Sequence, residues 1–269
     1  MHYNSAHSFR SAVVYDVGEE EDSAPYQVME LLEGRSLRDA IDNRAPFSVA
    51  EKAGILGEIA RSLAYAHRSG VIHRDIKPAN IMLLANGGVK ILDFGIGGTL
   101  APGVTRQTSA DITTGTPEYM APEQYEGRGA RALSDIYAFG VVAYEWLTGV
   151  QPFRGANPAN TMSMVMNTIP PPVRMLSADC PEALESVVRM CMAKRPAERY
   201  RSMEEVLFDL GPIEAAFRKD RVDGMVAEAQ RLLEAGDSDS AQRVLGRALE
   251  LEPGHPAGQE LRRRMQRGR

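Results

Sequence analysis

The chain has 269 residues, 43% of them hydrophobic and 25% charged, with a formal net charge of −5. That balance suits a folded chain with one large domain and one small one, and it gives no basis for nucleic acid or an acidic membrane surface as an obligate partner. The opening residues MHYNSAHSFR lack the charged and apolar regions of a signal peptide. The most apolar stretch, Ile136 to Leu147, holds Tyr137, Tyr144 and Glu145. It falls short of the roughly 20 residues that cross a bilayer, so it is expected as a buried helix. Cys180 and Cys191 form no metal-ligand pattern and predict a reduced, cytoplasmic protein.

Residues 11–17 and 26–30 are short and rich in β-branched and aromatic side chains, which predicts two strands joined by an acidic loop with Pro25. The pattern turns helical at Ser36. Ser48 then caps a long helix whose apolar positions Ile55, Ile59, Leu63 and Ala66 recur at helical spacing, and Gly70 ends it. From Val71 to Gly95 strands and loops are expected to alternate: VIH, NIMLL, the turn NGG, and VKILDF. Residues 96–116 are rich in Gly, Thr and Ser, the composition of a long functional loop. Beyond it the chain reads as helical to about residue 218, with segments 134–148, 160–167, 181–194 and 202–210 as helices.

The chemistry is concentrated in three motifs. His73-Arg74-Asp75-Ile76-Lys77-Pro78-Ala79-Asn80 matches H-R-D-x-x-x-x-N, Asp93-Phe94-Gly95 follows thirteen residues after Asn80, and Ala121-Pro122-Glu123 comes last. Each triplet alone is weak. Their order, spacing and strand–loop–strand context together resemble the eukaryotic-like, bacterial Hanks-type Ser/Thr protein kinases over about residues 10–212. The resemblance implies an α+β fold. It has an incomplete β small lobe with its hinge (1–33), a mostly helical large lobe (34–218) and an all-α hairpin (219–269).

The resemblance also implies roles. Asp75 would orient the substrate hydroxyl and accept its proton. Asn80 and Asp93 would supply the hard oxygen ligands that Mg²⁺, or Mn²⁺ in its place, requires. Lys77 would contact the transferring phosphate of ATP, and a lysine there marks Ser/Thr rather than Tyr kinases. Thr116 would bond the catalytic Asp and Lys. His73 and Phe94 resemble two members of a hydrophobic spine. Asp135, in Ser134-Asp135-Ile136-Tyr137, would hold the backbone of the catalytic loop, and Arg199 would pair with Glu123. In YQVMELLEG, Met29 would be the gatekeeper, the Glu30 carbonyl and Leu32 amide would meet the adenine edge, and Met82 would pack beneath the ring. Arg74, placed before Asp75, points to activation by loop phosphorylation, with Thr105 and Thr108 as the first candidate sites.

Residues 222–267 read as a separate unit. Met225, Ala229, Leu232 and the Gly236-Asp237 turn, then Ala241, Leu245, Ala248 and Pro253, fall at the offsets of a tetratricopeptide repeat followed by one more helix over 256–267. An ordinary amphipathic hairpin carries the same pattern. Either form leaves a face for a protein partner.

A complete kinase of this kind also has a G-x-G-x-x-G loop, a strand lysine and a helix glutamate, and residues 1–12 supply none of them. Two readings follow: a protein Ser/Thr kinase in N-terminally shortened form, or a fragment or pseudokinase that acts as a protein-interaction module. Two isolated small-lobe strands are expected to expose an apolar face and an unpaired edge.

Overall fold

The computed structural model describes residues 12–18, 26–94 and 116–267. Strands β1 (Val14–Gly18) and β2 (Tyr26–Met29) pair antiparallel, Val14 opposite Met29 and Gly18 opposite Tyr26. One backbone bond, Ala12 N–H to the Ile91 carbonyl at 3.2 Å, ties this ribbon to the second sheet. Its apolar side chains Val14, Tyr15, Tyr26 and Val28 stand in solvent, the exposed apolar face expected from the sequence.

The second sheet has the order β3 (Gly34–Ser36), β4 (Ile81–Leu84), β5 (Val89–Ile91), all antiparallel. β3 carries no apolar alternation and went unpredicted. It forms because Gly34 lets the chain press against β4: a Cβ there would stand 2.2 Å from the Leu83 carbonyl oxygen. The tight β4–β5 turn puts Gly87 at φ +83°, where glycine is favoured. Ile81 opposite Ile91, and Leu83 opposite Val89, form the buried face.

Helix α1 (Leu37–Asp42) follows β3 directly, and α2 (Val49–Arg68) starts at the predicted cap, where Ser48 and Glu51 bond each other's backbone N–H. Ile59, Leu63 and Ala66 are buried along α2, whereas Ile55 is only half-buried. The strand expected at Val71–His73 is absent. Its N–H groups go elsewhere: Val71 donates to the Ala66 carbonyl at 2.9 Å and His73 to the Asp135 carboxylate at 2.8 Å. Those two donors, which lie on one edge of the segment, are thereby unavailable to a neighbouring strand.

After α3 (Pro122–Tyr125), helix α4 (Ala132–Thr148) runs through the centre of the domain, buried from Ser134 to Leu147. No face of it needs water, which is why it read as a continuous apolar run. α5 (Pro158–Asn167) and α6 (Val173–Leu176) follow, and α7 (Glu182–Cys191) lies against α4. Gly140 makes that approach possible, since a Cβ there would meet the Cys191 Cβ at 2.7 Å. Among the described residues no helix is long and apolar enough to cross a membrane.

The chain divides into two compact units, 1–210 and 211–269. α8 (Met203–Glu234) extends well past the predicted end at residue 210 and contains Pro212. The proline removes the donor that the Phe208 carbonyl would use, and Phe208 is 81% exposed, so water can serve it instead. In the second unit, Val226 and Ala229 of α8 pack with Leu245, Ala248 and Leu249 of α9 (Ser238–Leu251) and Leu261 of α10 (Pro256–Arg267). The Asp237 side chain caps α9, and Gly236 turns the chain at φ +84°. His255 donates from Nε2 to Asp223 at 2.7 Å and accepts the Gly258 N–H at Nδ1, which fixes the start of α10 on α8.

Candidate active site

Residues 71–77 have no regular structure of their own, and α4 gives them one. The Asp135 carboxylate accepts three hydrogen bonds: His73 N–H (2.8 Å), Arg74 N–H (2.9 Å) and His67 Nε2 (2.8 Å). It thereby holds Arg74 at φ +74°, a left-handed conformation that a non-glycine residue adopts only at an energetic cost. Asp135→Asn turns an amide donor toward at least one of those three donors. It is expected to destabilise the domain by roughly 1–3 kcal/mol, read as a lower urea midpoint with an unchanged slope.

His73 lies in the same loop, its ring edge-on to Phe94 with centroids 4.7 Å apart. Nε2 donates to the Leu92 carbonyl at 2.7 Å, and Nδ1 accepts the Asp75 N–H at 3.3 Å, so one neutral tautomer satisfies both contacts. Burial pushes the imidazole below its ordinary value of 6.5, outweighing the Leu92 bond and the charges of Asp135, Asp75 and Asp93. The unfolded chain therefore takes up this proton first. The stabilisation is complete above pH 6.5 and is lost as pH falls below it toward the folded value. The drop in urea midpoint between about pH 7.5 and about pH 5.5 is expected to shrink in His73→Gln.

The loop delivers Asp75, Lys77 and Asn80 to one point. Lys77 Nζ is 2.7 Å from Asp75 Oδ2, and Asn80 Nδ2 donates to the same oxygen at 3.1 Å and to the Asp75 carbonyl at 2.9 Å. One carboxylate oxygen is thus clamped by a cation and an amide. The other, Oδ1, takes no partner among the described residues. Asn80 is buried, and with its amino group spent on Asp75 its Oδ1 is left as a hard acceptor. The Leu92 N–H bonds the Asn80 carbonyl at 2.8 Å, which brings the next residue, Asp93, beside Asn80. Asp93 is exposed and sits at φ +59°. An amide oxygen and a carboxylate are both donors of the kind that suits a hard divalent cation.

The protein kinase domain family matches residues 8–209. The chain belongs to the protein kinase family. Relatives include a probable serine/threonine-protein kinase PknB from Corynebacterium glutamicum, 40% identical over 217 residues covering 77% of this chain and 34% of the relative. The serine/threonine-protein kinases PknB of Mycobacterium tuberculosis (39% over 204 residues) and Mycolicibacterium smegmatis (38% over 200) each match 73% of this chain and 32% of their own length. The chain spans about a third of the length of these relatives.

The rest of this kinase domain supports the loop from below. Arg199 makes a two-pronged bond to Glu123, both N···O distances 2.8 Å, and its remaining donors reach the carbonyls of Ala193, Leu133 and Lys194. The Ser134 hydroxyl donates to Glu123 as well. Burial pushes the Glu123 carboxyl up, but the bonds and charge of Arg199 outweigh it and hold it below the usual range. Thr116 lines one small cleft with Asp75, but its hydroxyl bonds neither Asp75 nor Lys77. The expected Thr116 contact is therefore not formed in this arrangement.

Sequence reasoning missed a second anchor. The Tyr119 hydroxyl donates to Glu145 of α4 at 2.5 Å, and Arg38 of α1 reaches both Tyr119 (2.6 Å) and Glu145 (2.9 Å). Burial and then the Glu145 charge push the Tyr119 hydroxyl up, which keeps it protonated as the donor. No motif links residues 38, 119 and 145, so only the packing of α1 on α4 reveals them.

In the segment expected to meet the nucleotide, the Glu30 carboxylate is engaged within the protein. It accepts from Lys90 Nζ at 2.5 Å and from the Val13 N–H at 2.8 Å. The Lys90 hydrogen bond lowers its carboxyl against the opposing effect of burial. Met82 is half-buried on β4 opposite Lys90, Leu32 is half-buried, Met29 is exposed, and Leu31 is 90% exposed. Gly95, Thr105 and Thr108 lie outside the described residues.

Proposed function

We propose that this chain transfers the γ-phosphoryl group of ATP to Ser or Thr hydroxyls of proteins. The observation that carries the reading is the Asp75 carboxylate, one oxygen clamped by Lys77 and Asn80 and the other without a partner among the described residues. Phosphoryl transfer needs positioning and charge neutralisation more than covalent chemistry, and this geometry supplies both. Asp75 orients the hydroxyl and takes its proton. Asn80 and Asp93 hold Mg²⁺, which neutralises charge on the phosphates when bound. Lys77 stands beside Asp75 as the cation for the transferring phosphoryl group. The Glu30 carbonyl, the Leu32 amide and Met82 hold the base. Thr105 and Thr108 are the candidate phosphosites, with Arg74 as their cation.

The same reading places the kinase domain up to about residue 218, a tetratricopeptide-like hairpin for a protein partner over 219–269, and the protein in the cytoplasm. The free, buried thiols of Cys180 and Cys191 support that compartment.

The second reading, a non-catalytic interaction module, is favoured by one observation. β1, β2 and the segment just after β2 expose Tyr15, Val28 and Leu31. Incubating the purified chain with MgATP and a mixed library of Ser- and Thr-containing peptides separates the two. Phosphopeptides that vanish in Asp75→Asn support transfer. A chain that is stabilised by nucleotide yet yields no phosphopeptide supports the interaction module.

A further inference from the structure

A cleft of about 440 Å³ opens on the face of the β3–β4–β5 sheet that looks toward α2. It is separate from the cleft that holds Asp75 and Thr116. Residues directly opposite in antiparallel strands share a face, so the pairs Arg35–Leu83 and Leu83–Val89 make one row across the three strands. That row is apolar except at its edge, where Arg35 stands. Phe47 and Ile55 form the opposing wall, and the Gly87-Gly88 turn forms the rim.

Arg35 is the unusual member. Its guanidinium carbon sits 5.4 Å above the Phe47 ring, and it makes no ion pair among the described residues. The cleft thus offers apolar walls, one stacked cation at the mouth, and a volume within the roughly 300–1,000 Å³ of small-molecule sites. A guanidinium held over an aromatic face keeps its edge N–H groups free for a planar anion.

We propose that this cleft binds a small amphipathic carboxylate, its aromatic or aliphatic body against Leu83, Val89 and Ile55 and its carboxylate on Arg35. Loss of the charge-assisted bond to Arg35 removes the one polar contact that orients such a ligand. Leu83 and Val89 lie two residues from Ile81 and Ile91, about 7 Å of strand, so the ligand rests on the strands that follow Asn80 and lead to Asp93. The alternative role for Arg35 is protective: an inward-pointing charge on an edge strand discourages pairing with a second copy.

Trp146, the sole tryptophan, is a built-in reporter because its ring centroid lies 5.1 Å from that of Phe47. Dansylglycine, an aromatic carboxylate, is titrated into the whole chain while Trp146 is excited. Saturable sensitised emission is expected, and dansylamide, which lacks the carboxylate, is expected to bind roughly tenfold or more weakly. Arg35→Glu should weaken dansylglycine by a similar factor, and Ala85→Phe, on an exposed lining residue, should block it by filling the mouth. Both variants should keep the wild-type melting temperature. Equal binding of the two probes, or a titration unchanged in Ala85→Phe, overturns the site. Absent binding combined with self-association of Arg35→Leu, which removes the charge, overturns it in favour of the protective role. None of these readouts depends on phosphoryl transfer.

Discussion

Arg199→Met is expected to destabilise the kinase domain by roughly 3–5 kcal/mol, the range for breaking one side of a buried ion pair. The side chain of Arg199 is fully buried and that of Glu123 is 7% exposed. Methionine fills much of the same volume but leaves the carboxylate, among the described residues, with Ser134 as its one remaining side-chain donor. It also removes the donor that Arg199 supplies to the carbonyls of Ala193, Lys194 and Leu133, the last of which keeps its place in the α4 ladder. The loss should exceed that of Glu123→Gln, because glutamine still accepts from Arg199 at one oxygen and leaves the three carbonyl bonds intact. Urea denaturation of both variants checks the order. A value under about 1 kcal/mol for Arg199→Met would match the surface ion-pair range and sink the claim that this pair secures the segment after residue 116 to α4.

The pair was legible before any coordinates because both partners sit in recognisable phrases, APE and RPAERY. The same holds for the catalytic loop: its residue types are dictated by the chemistry of phosphate and metal, so the letters carry the geometry. Helices α2 and α4 were legible for a different reason, since the periodicity and Ser48 cap of the one and the apolar run of the other are local properties. The misses are non-local. β3 exists only because Gly34 lies against Leu83, and Val71–His73 is not a strand because Asp135, about sixty residues away, takes one of its donors. Pro212 reads as a helix breaker, yet an exposed carbonyl tolerates it. Arg38, Tyr119 and Glu145 are ordinary letters in ordinary contexts, and their meaning comes from the packing of three distant segments.

Asp75→Asn is expected to lower kcat by about 10²–10⁴ while leaving KM for ATP nearly unchanged. The amide keeps the size of the carboxylate and can still accept from Asn80 or meet Lys77, so the loop need not rearrange. What it loses is the charge and the basic oxygen at Oδ1, the position without a partner among the described residues. A base that orients a hydroxyl and takes its proton acts as that proton leaves. Its removal therefore falls on the transition state and not on the bound nucleotide. Asp93→Asn supplies the contrast. It weakens a metal ligand, so its defect should appear as a higher Mg²⁺ requirement and a higher KM for ATP, and excess metal should relieve it. Metal cannot restore an absent base, so Asp75→Asn should show no such rescue. If the two variants respond alike to added Mg²⁺, Asp75 is a binding group, and the division of labour between the clamped and the open oxygen fails with it.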